Sequence, residues 1–512
     1  MTTVRERPDD VATSRPGPAH ARPSGPSRLQ RLARAAATLA IPLVLVELTI
    51  ALRVVNLTTS YDLFIDEAFY VAVGHSVADG GLPYATGSYF FLHPPGHSLL
   101  EAVWINLFHV QGGVFEQVFA VRHLNVVFAA LTTVALFVLG RRLSGVGAGT
   151  IAATLFTISP WFIRQNSFVL LETSAVAFVL AGWLLVVHLP RRPALRLSAL
   201  VVTGLLFGFG VLIKEFAVFV TMLPLVVLAW RQWLLTRREA VVAALATCVP
   251  YASWLLVILA TGHVGEFWTQ NTAGFRRAAG AEQISGFNSP DAPSFLSTVL
   301  SSAPQFATTY LLLGLGSLAL LYLLLRGRTP QLRVLAAFGV GAMPLLAYSL
   351  LLGANEEQFY YYLLIPATLA VGVVLTEGWY RLGRRAGRAV AVLAVLWITS
   401  DLVNWGVVHT TADNGTQQVD LWMRDHVLPG TSVGVTNAVQ RQIFLRYDMV
   451  DLTTPASLEG HDVQYLVVFE KQVAQGYAFT STADLAQVVG DREPVFSTDG
   501  RGNGRIDVFR LG

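Results

Sequence analysis

Charged side chains are scarce in this chain of 512 residues: they make up 13% of the sequence, whereas hydrophobic residues make up 53%. An ordinary soluble domain has roughly 25% charged residues. A large buried core does not require such a loss of charge, but the replacement of water by lipid does. The composition therefore excludes an ordinary soluble enzyme and predicts a polytopic α-helical membrane protein.

Two other residue types are almost absent. The single cysteine, Cys248, lies in an apolar run, so the sequence allows no intrachain disulfide and gives no indication of the redox compartment. Lysine occurs only at Lys214 and Lys471, so nearly all cations are arginine, which together with abundant alanine, valine and glycine is typical of a high-GC bacterial genome. The net charge of +3 is too small to indicate a nucleic-acid partner.

Eleven apolar windows, each of about 19 residues, are predicted to span a bilayer. They lie near 33–52, 119–139, 147–163, 169–189, 197–213, 216–230, 239–260, 304–325, 333–352, 359–376 and 388–408. Arginine is concentrated in every second connection between these windows, and the positive-inside rule places those connections in the cytoplasm. The Arg-rich N-terminal tail is cytoplasmic by the same rule. An odd number of spans then leaves the C-terminal end outside.

This topology divides the chain into a cytoplasmic tail, residues 1–30, and a transmembrane domain, residues 31–408. The tail is rich in proline, arginine and serine, and we expect it to be disordered and not a cleaved signal peptide. Three segments become extracytoplasmic: a first loop, 53–118, with helices on the membrane surface, a second loop, 261–303, and a C-terminal segment, 410–512. Alternating strand-like and helix-like runs predict a small α/β domain in the C-terminal segment.

The first outer loop holds the densest cluster of unusual residues. Asp66 and Glu67 precede a helix-like apolar run, and the dipole of that helix would keep a carboxylate at its N-terminus ionised. Two interpretations remain open, because Asp66 is either a helix cap or a base that accepts a proton. The apolar Leu63-Phe64-Ile65 before it favour the base, since a solvated cap needs no such neighbours.

A second predicted surface helix begins at His93-Pro94-Pro95-Gly96, with prolines tolerated in its first turn. His93 and His97 are four residues apart, a spacing that places two metal ligands on one face of a helix. A divalent metal site is therefore one interpretation of this motif, and a helix cap or a contact with an anion or substrate are the others. No third ligand is obvious, so we assign no metal ligands.

Three further ionisable residues, Arg164, Glu172 and Lys214, interrupt apolar runs at the outer ends of predicted spans. A charge at the centre of a bilayer costs about 2.5–3.5 kcal/mol on insertion scales, so such residues usually line a site or an interface. Lys214 is distinctive in a chain whose other cations are arginine, and a compact ammonium matches a phosphate. Its alternative is a lysine that extends to the outer interface beside Glu215.

All these groups converge on one face of the membrane. Carboxylates, imidazole and cations together favour an anionic headgroup on a lipid, with a base for an incoming hydroxyl. The sequence has no Gly-rich phosphate loop, and an outward-facing enzyme has no cytoplasmic nucleotide donor, so a lipid-linked donor is expected. A secondary transporter is the alternative from another class, but it predicts charged positions near the midplane in two matching halves. A sensor that binds its ligand with the C-terminal segment is a third alternative.

Four short motifs in this order resemble those of the family 39 glycosyltransferases of the GT-C fold, which include protein O-mannosyltransferases and the lipid A aminoarabinose transferase. They are Asp66-Glu67-Ala68-Phe69-Tyr70, His93-Pro94-Pro95-Gly96, the segment from Arg164 to Glu172, and Leu212-Ile213-Lys214-Glu215. The resemblance implies an inverting enzyme that moves a sugar from a polyprenyl-phosphate donor to a hydroxyl on a glycan, lipid or protein. A lipid-linked glycan ligase or polymerase is the nearest alternative.

The same resemblance implies roles for individual residues. Asp66 and Glu67 would be catalytic, Lys214, Arg164 and His93 would bind the donor phosphate, and Glu172 would be a second acid. The family frequently has lysine where His93 stands, so phosphate contact at this position depends on imidazolium. Weaker candidates for contact with the acceptor, or for a lid, are Trp268, Arg276 and Tyr361. A solvated linker is the other interpretation of the second outer loop.

Overall fold

The computed structural model describes residues 28–278, 295–352, 357–379, 381, 383–437 and 440–512. The chain divides into two compact units, Met1–Ile41 and Pro42–Gly512. The described part of the first unit, residues 28–41, is helical. Residues 1–27 lie outside the described residues, so the disorder predicted for the tail stays a prediction.

Fifteen α-helices in the described residues precede the C-terminal segment, besides a 3-10 turn at Glu215–Ala217. They are α1 (Arg28–Val54), α2 (Ile65–Ala78), α3 (Gly96–Phe108), α4 (Val114–Ser144), α5 (Val146–Ile158), α6 (Pro160–Asn166), α7 (Leu171–Val187), α8 (Pro193–Ile213), α9 (Val218–Arg231), α10 (Arg237–Thr261), α11 (Val264–Ala278), α12 (Phe295–Arg326), α13 (Pro330–Leu352), α14 (Glu357–Trp379) and α15 (Arg384–Thr410). A short hairpin of β1 (Tyr84–Ala85) and β2 (Ser88–Tyr89) lies between α2 and α3. Each of the eleven apolar windows coincides with helical residues.

The predicted number of membrane spans is not confirmed by the lengths of the described helices. Within the described residues, seven helices are long and apolar enough to cross a membrane, or eight if α5 and α6, which are bent by 66° at their junction, form one broken span. The apolar helix α7 has 17 residues and α9 has 14, both shorter than the roughly 20 residues that a bilayer requires. The predicted total of eleven is therefore not confirmed.

The break between α5 and α6 has a chemical cause. Pro160 lacks the N–H that would bond to the carbonyl of Phe156, so this carbonyl needs another donor. The guanidinium of Arg53, which is fully buried, donates to the carbonyls of Phe156 and Thr157, each at 3.2 Å. It also donates to Asn166 Oδ1 at 3.0 Å. Arg53 therefore stabilises both sides of the broken helix.

The C-terminal segment contains a five-stranded mixed sheet. Its strands are β3 (Ser432–Val435), β4 (Asp448–Asp451), β5 (Tyr465–Phe469), β6 (Phe496–Gly500) and β7 (Gly504–Arg510), in the order β4-β3-β5-β7-β6. Strands β3, β4 and β5 are parallel, and β7 pairs antiparallel with β5 and β6. The helices there are α16 (Gly415–His426), α17 (Gln440–Ile443), α18 (Glu470–Ala474) and α19 (Thr482–Val489). The α/β pattern predicted from the sequence is present.

This α/β segment packs on the first outer loop and does not stand apart from the helices. Val433 and Val435 of β3 share one hydrophobic cluster with Leu63, Ala68 and Val71 of the loop and α2. Burial of these apolar side chains stabilises the contact. The shared core fixes α2, which contains Asp66 and Glu67, against the sheet.

Candidate active site

The two acidic residues at the start of α2 lie in different environments. Glu67 is fully buried, and its two oxygens accept from Arg122 Nε at 2.9 Å and Arg122 Nη2 at 2.7 Å. The backbone N–H groups of Phe64 and Val169 also donate to Glu67, at 2.9 and 2.7 Å. Glu67 thus caps the helix, which was the role left open for Asp66. Asp66 is only half-buried in the same first turn.

Arg122 of α4 was missed by the sequence analysis, although it is a charge inside an apolar window and such charges mark sites or interfaces. Besides Glu67, its guanidinium donates to the carbonyls of Leu57, Tyr61 and Asp62 at 2.9, 3.0 and 3.0 Å. The loop before α2 is therefore held against α4 by one buried cation.

We expect the substitution Glu67→Ala to destabilise the protein strongly. It leaves the Arg122 guanidinium buried without its carboxylate, and loss of one partner of a buried ion pair costs about 3–5 kcal/mol. The apparent melting temperature and the yield of monodisperse protein in detergent measure this effect. Glu116→Ala, which removes an exposed acid from the same helix as Arg122, is the matched control. A Glu67→Ala protein as stable as this control would contradict the expectation.

A second cluster forms around Lys214, which has an extended backbone between α8 and α9. Its Nζ lies 3.5 Å from Glu172 Oε1 and 3.3 Å from His93 Nε2. The other imidazole nitrogen, His93 Nδ1, lies 3.4 Å from Glu215 Oε2. Because an ammonium only donates, the contact with Lys214 favours Nε2 as the acceptor and a proton on Nδ1. The structure thus brings together three predicted residues, His93, Glu172 and Lys214.

Tyr70 connects this cluster with Asp66. It follows Asp66 by one helical turn, and its ring centroid lies 6.3 Å from that of His93. Burial, followed by the negative charges of Asp66, Glu172 and Glu215, raises the pKa of the Tyr70 hydroxyl well above its ordinary value. Asp66 thus lies one helical turn from an aromatic ring that contacts His93, and the charges of Asp66, Glu172 and Glu215 all act on the Tyr70 hydroxyl.

His97 has different partners from His93, although both residues line one small cavity. Its Nδ1 lies 3.0 Å from Ser174 Oγ, and its Nε2 lies 3.6 Å from Glu101 Oε1. Burial lowers the pKa of His97 to about 3 and raises the pKa of Glu101. The described part of the chain holds no group of three His, Cys, Asp or Glu side chains arranged to bind a metal ion. The metal interpretation of the four-residue spacing stays a prediction.

Two of the other predicted residues lie in the wall of the bundle. Arg164 of α6 is half-buried, with its guanidinium 5.7 Å from the ring of Phe168 and 5.8 Å from that of Phe306. Tyr361 of α14 is fully buried, and its hydroxyl accepts from Asn166 Nδ2 at 2.6 Å. Because this side chain has no exposed surface in the structure, contact between Tyr361 and an acceptor stays a prediction.

The second outer loop is helical over α11, so the interpretation as a solvated linker does not hold there. Gln270 accepts from the Phe91 N–H at 2.7 Å and donates to the Tyr89 carbonyl at 2.8 Å. Trp268 is 70% exposed and Arg276 is exposed on the same helix. Residues 279–294 of this loop lie outside the described residues. A role for Trp268 and Arg276 in acceptor contact stays a prediction.

Comparison with solved structures shows the fold of the chain. The oligosaccharyltransferase AglB from Archaeoglobus fulgidus, in complex with an inhibitory peptide and a dolichol-phosphate, is 13% identical, and the match covers 94% of this chain and 74% of that one with a TM-score of 0.61. ArnT from Cupriavidus metallidurans bound to undecaprenyl phosphate is 14% identical, and the match covers 94% of this chain and 98% of that one with a TM-score of 0.57. Apo ArnT gives a TM-score of 0.60. The chain therefore has the GT-C fold.

Part of the chain also matches a sequence family. Residues 92–254 match the family described as dolichyl-phosphate-mannose-protein mannosyltransferase. This range contains three of the clustered residues, His93, Glu172 and Lys214. The resemblance to GT-C enzymes of the protein mannosyltransferase type is thus confirmed. No curated protein sequence matches the chain.

Proposed function

We propose that the protein is an inverting glycosyltransferase that moves a sugar from a polyprenyl-phosphate donor to a hydroxyl acceptor at the outer face of a bacterial plasma membrane. The observation that carries the proposal is the buried Lys214 ammonium, which contacts Glu172 and His93, while the half-buried Asp66 lies one helical turn from Tyr70, whose ring contacts His93. The match of residues 92–254 to a mannosyltransferase family supports it. So do the dolichol and undecaprenyl phosphates bound to proteins of the same fold.

In this proposal the reaction is a single displacement. The acceptor hydroxyl gives its proton to the Asp66 carboxylate while its oxygen attacks the anomeric carbon from the face opposite the phosphate. The bond between this carbon and the phosphate oxygen breaks, and polyprenyl phosphate leaves with the electron pair. Lys214, assisted by Arg164, stabilises the negative charge on the leaving phosphate, and His93 orients the ammonium by accepting from its Nζ. The new glycosidic bond has the inverted configuration.

The other acids have positioning roles in this scheme. Glu67 is bound on both oxygens by Arg122, so we assign it to holding the start of α2 and no longer to catalysis. Glu172 balances the charge of Lys214, and an incoming phosphate competes with it for the ammonium. From the arginine-rich connections we infer a cytoplasmic N-terminal tail and an extracytoplasmic α/β segment, on the side of the proposed site.

The test is direct transfer of labelled sugar. The purified full chain in lipid nanodiscs is incubated with a panel of radiolabelled undecaprenyl-phosphate hexoses and pentoses and with a bacterial envelope fraction as acceptor. We expect label to move from one of these donors to the acceptor, with one undecaprenyl phosphate released per sugar. Movement of intact labelled donor across proteoliposomes, without cleavage of its sugar bond, would instead establish a transporter.

A further inference from the structure

The turn between β6 and β7 extends from the α/β segment into the loop that precedes α2. Asn503 in this turn is buried, and its Nδ2 donates to Asp62 Oδ2 and to the carbonyl of Leu63, both at 2.9 Å. The same amide donates to Thr416 Oγ1 at 3.0 Å. A side chain 441 positions further along the chain thus contacts the loop four residues before Asp66.

Asp62 also binds the start of α16. The backbone N–H and the hydroxyl of Thr416 donate to Asp62 Oδ2 at 3.0 and 2.8 Å, and the Leu63 N–H donates to Asp62 Oδ1 at 2.8 Å. Burial raises the pKa of the Asp62 carboxyl to about 6, although these hydrogen bonds oppose the shift. The buried carboxylate therefore depends on these neutral donors, and loss of any of them leaves it poorly solvated.

Arg501 adds a second attachment of the same turn. Its Nη2 donates to the carbonyls of Ser60, Val408 and Thr411 at 3.1, 2.9 and 3.1 Å. The Asp413 N–H donates to the Thr59 carbonyl at 2.7 Å. The loop before α2 is thus bound to the α/β segment and to the end of α15.

The same loop is held from its other side by Arg122. That guanidinium binds the carbonyls of Leu57, Tyr61 and Asp62 and the carboxylate of Glu67. Residues 57–67 therefore lie between a cation of the helical bundle and the amide of Asn503. Contacts on both sides of a short segment leave its backbone little freedom, and Asp66 lies within this segment.

We propose that Asn503 and Thr416 are positioning residues for catalysis, which hold Asp66 in register with the donor through the carboxylate of Asp62. This inference rests on the proposed function, because it assigns the α/β segment a role in the same reaction. A displacement of about 1 Å at a reacting group costs on the order of 10²-fold in rate. A segment that only bound the acceptor would not need buried hydrogen bonds to the loop of the catalytic base.

The experiment compares Asn503→Ala and Thr416→Val with Thr416→Ser, which keeps the hydroxyl that binds Asp62. We expect turnover with the active donor to fall about 10-fold or more in the first two variants, while the donor KM and the affinity for undecaprenyl phosphate change by less than about twofold. Thr416→Ser should retain most of the turnover. Ser457→Ala is the matched control, because the hydroxyl of Ser457 bonds to Asp451 and Thr454 within the α/β segment.

Hydrogen exchange at residues 62–67, followed by mass spectrometry, gives a readout that does not depend on activity. We expect faster exchange in Asn503→Ala and Thr416→Val than in the wild type and in Ser457→Ala. If turnover per folded protein and exchange are both unchanged, or if Thr416→Ser loses as much turnover as Thr416→Val, the positioning role is wrong. If the wild type transfers no sugar but exchange rises as expected, the contact is supported and the proposed function fails.

Discussion

The Asp66→Asn variant is expected to lose sugar transfer by about 10³-fold while folding normally, since general base catalysis contributes 10²–10⁴-fold. An amide has nearly the same shape as the carboxylate but does not accept a proton at neutral pH. The helix cap survives, because Glu67 and not Asp66 accepts from the N–H of Phe64. Transfer of labelled sugar and the melting temperature, measured on the same preparation, separate catalysis from stability.

Two comparisons make this prediction specific. Asp79→Asn changes an acid just beyond the last turn of the same helix and should keep full transfer. Affinity for undecaprenyl phosphate should stay close to that of the wild type in Asp66→Asn, since the base acts on the acceptor and not on the phosphate. A fully active Asp66→Asn protein would refute the assignment of the base.

The Lys214→Met variant is expected to lower kcat/KM for the donor by about 10²-fold, the usual effect of removing one group that stabilises a developing anion. Methionine keeps much of the length and apolar character of the lysine stem but has no charge. Affinity for undecaprenyl phosphate should fall in parallel, which isothermal titration in detergent or nanodiscs measures. The variant also leaves Glu172 buried without its cation, so stability falls as well.

The opposite half of the ion pair provides the control. Glu172→Gln removes the acid that competes with phosphate, so it should bind undecaprenyl phosphate at least as tightly as the wild type. The double variant Lys214→Met with Glu172→Gln removes both charges, and we expect it to regain stability without regaining phosphate affinity. Equal affinity in Lys214→Met and the wild type would show that this ammonium does not bind the phosphate.

Local patterns of the sequence predict the elements of this fold well. Apolar windows mark the helices because lipid removes the need for polar residues, and short strand-like apolar runs mark β3 (Ser432–Val435) and β5 (Tyr465–Phe469) at their observed bounds. The number of spans is harder to predict, because an apolar window of fixed length does not distinguish a full span from a short helix such as α9. The proline after Ser159 likewise divides one window into two helices.

The site is predicted in part. Rare charges in apolar runs point to Glu172 and Lys214, and the structure places them in one cluster with His93. What the sequence does not show is which carboxylate is already bound by a cation. Glu67 and its partner Arg122 are 55 positions apart. Which acid of α2 is structural and which is available for catalysis therefore depends on a tertiary contact that local sequence spacing does not show.

The contact between Asp62 and Asn503 also bears on biosynthesis. The loop that contains the proposed base is synthesised early, but its buried carboxylate receives the Asn503 amide only after 441 further positions have been translated. Until then Asp62 lacks one of its donors, and the start of α2 lacks the sheet against which it packs. An interrupted chain can therefore insert its helices yet leave this loop unsupported. The site becomes ordered only after the α/β segment has been synthesised.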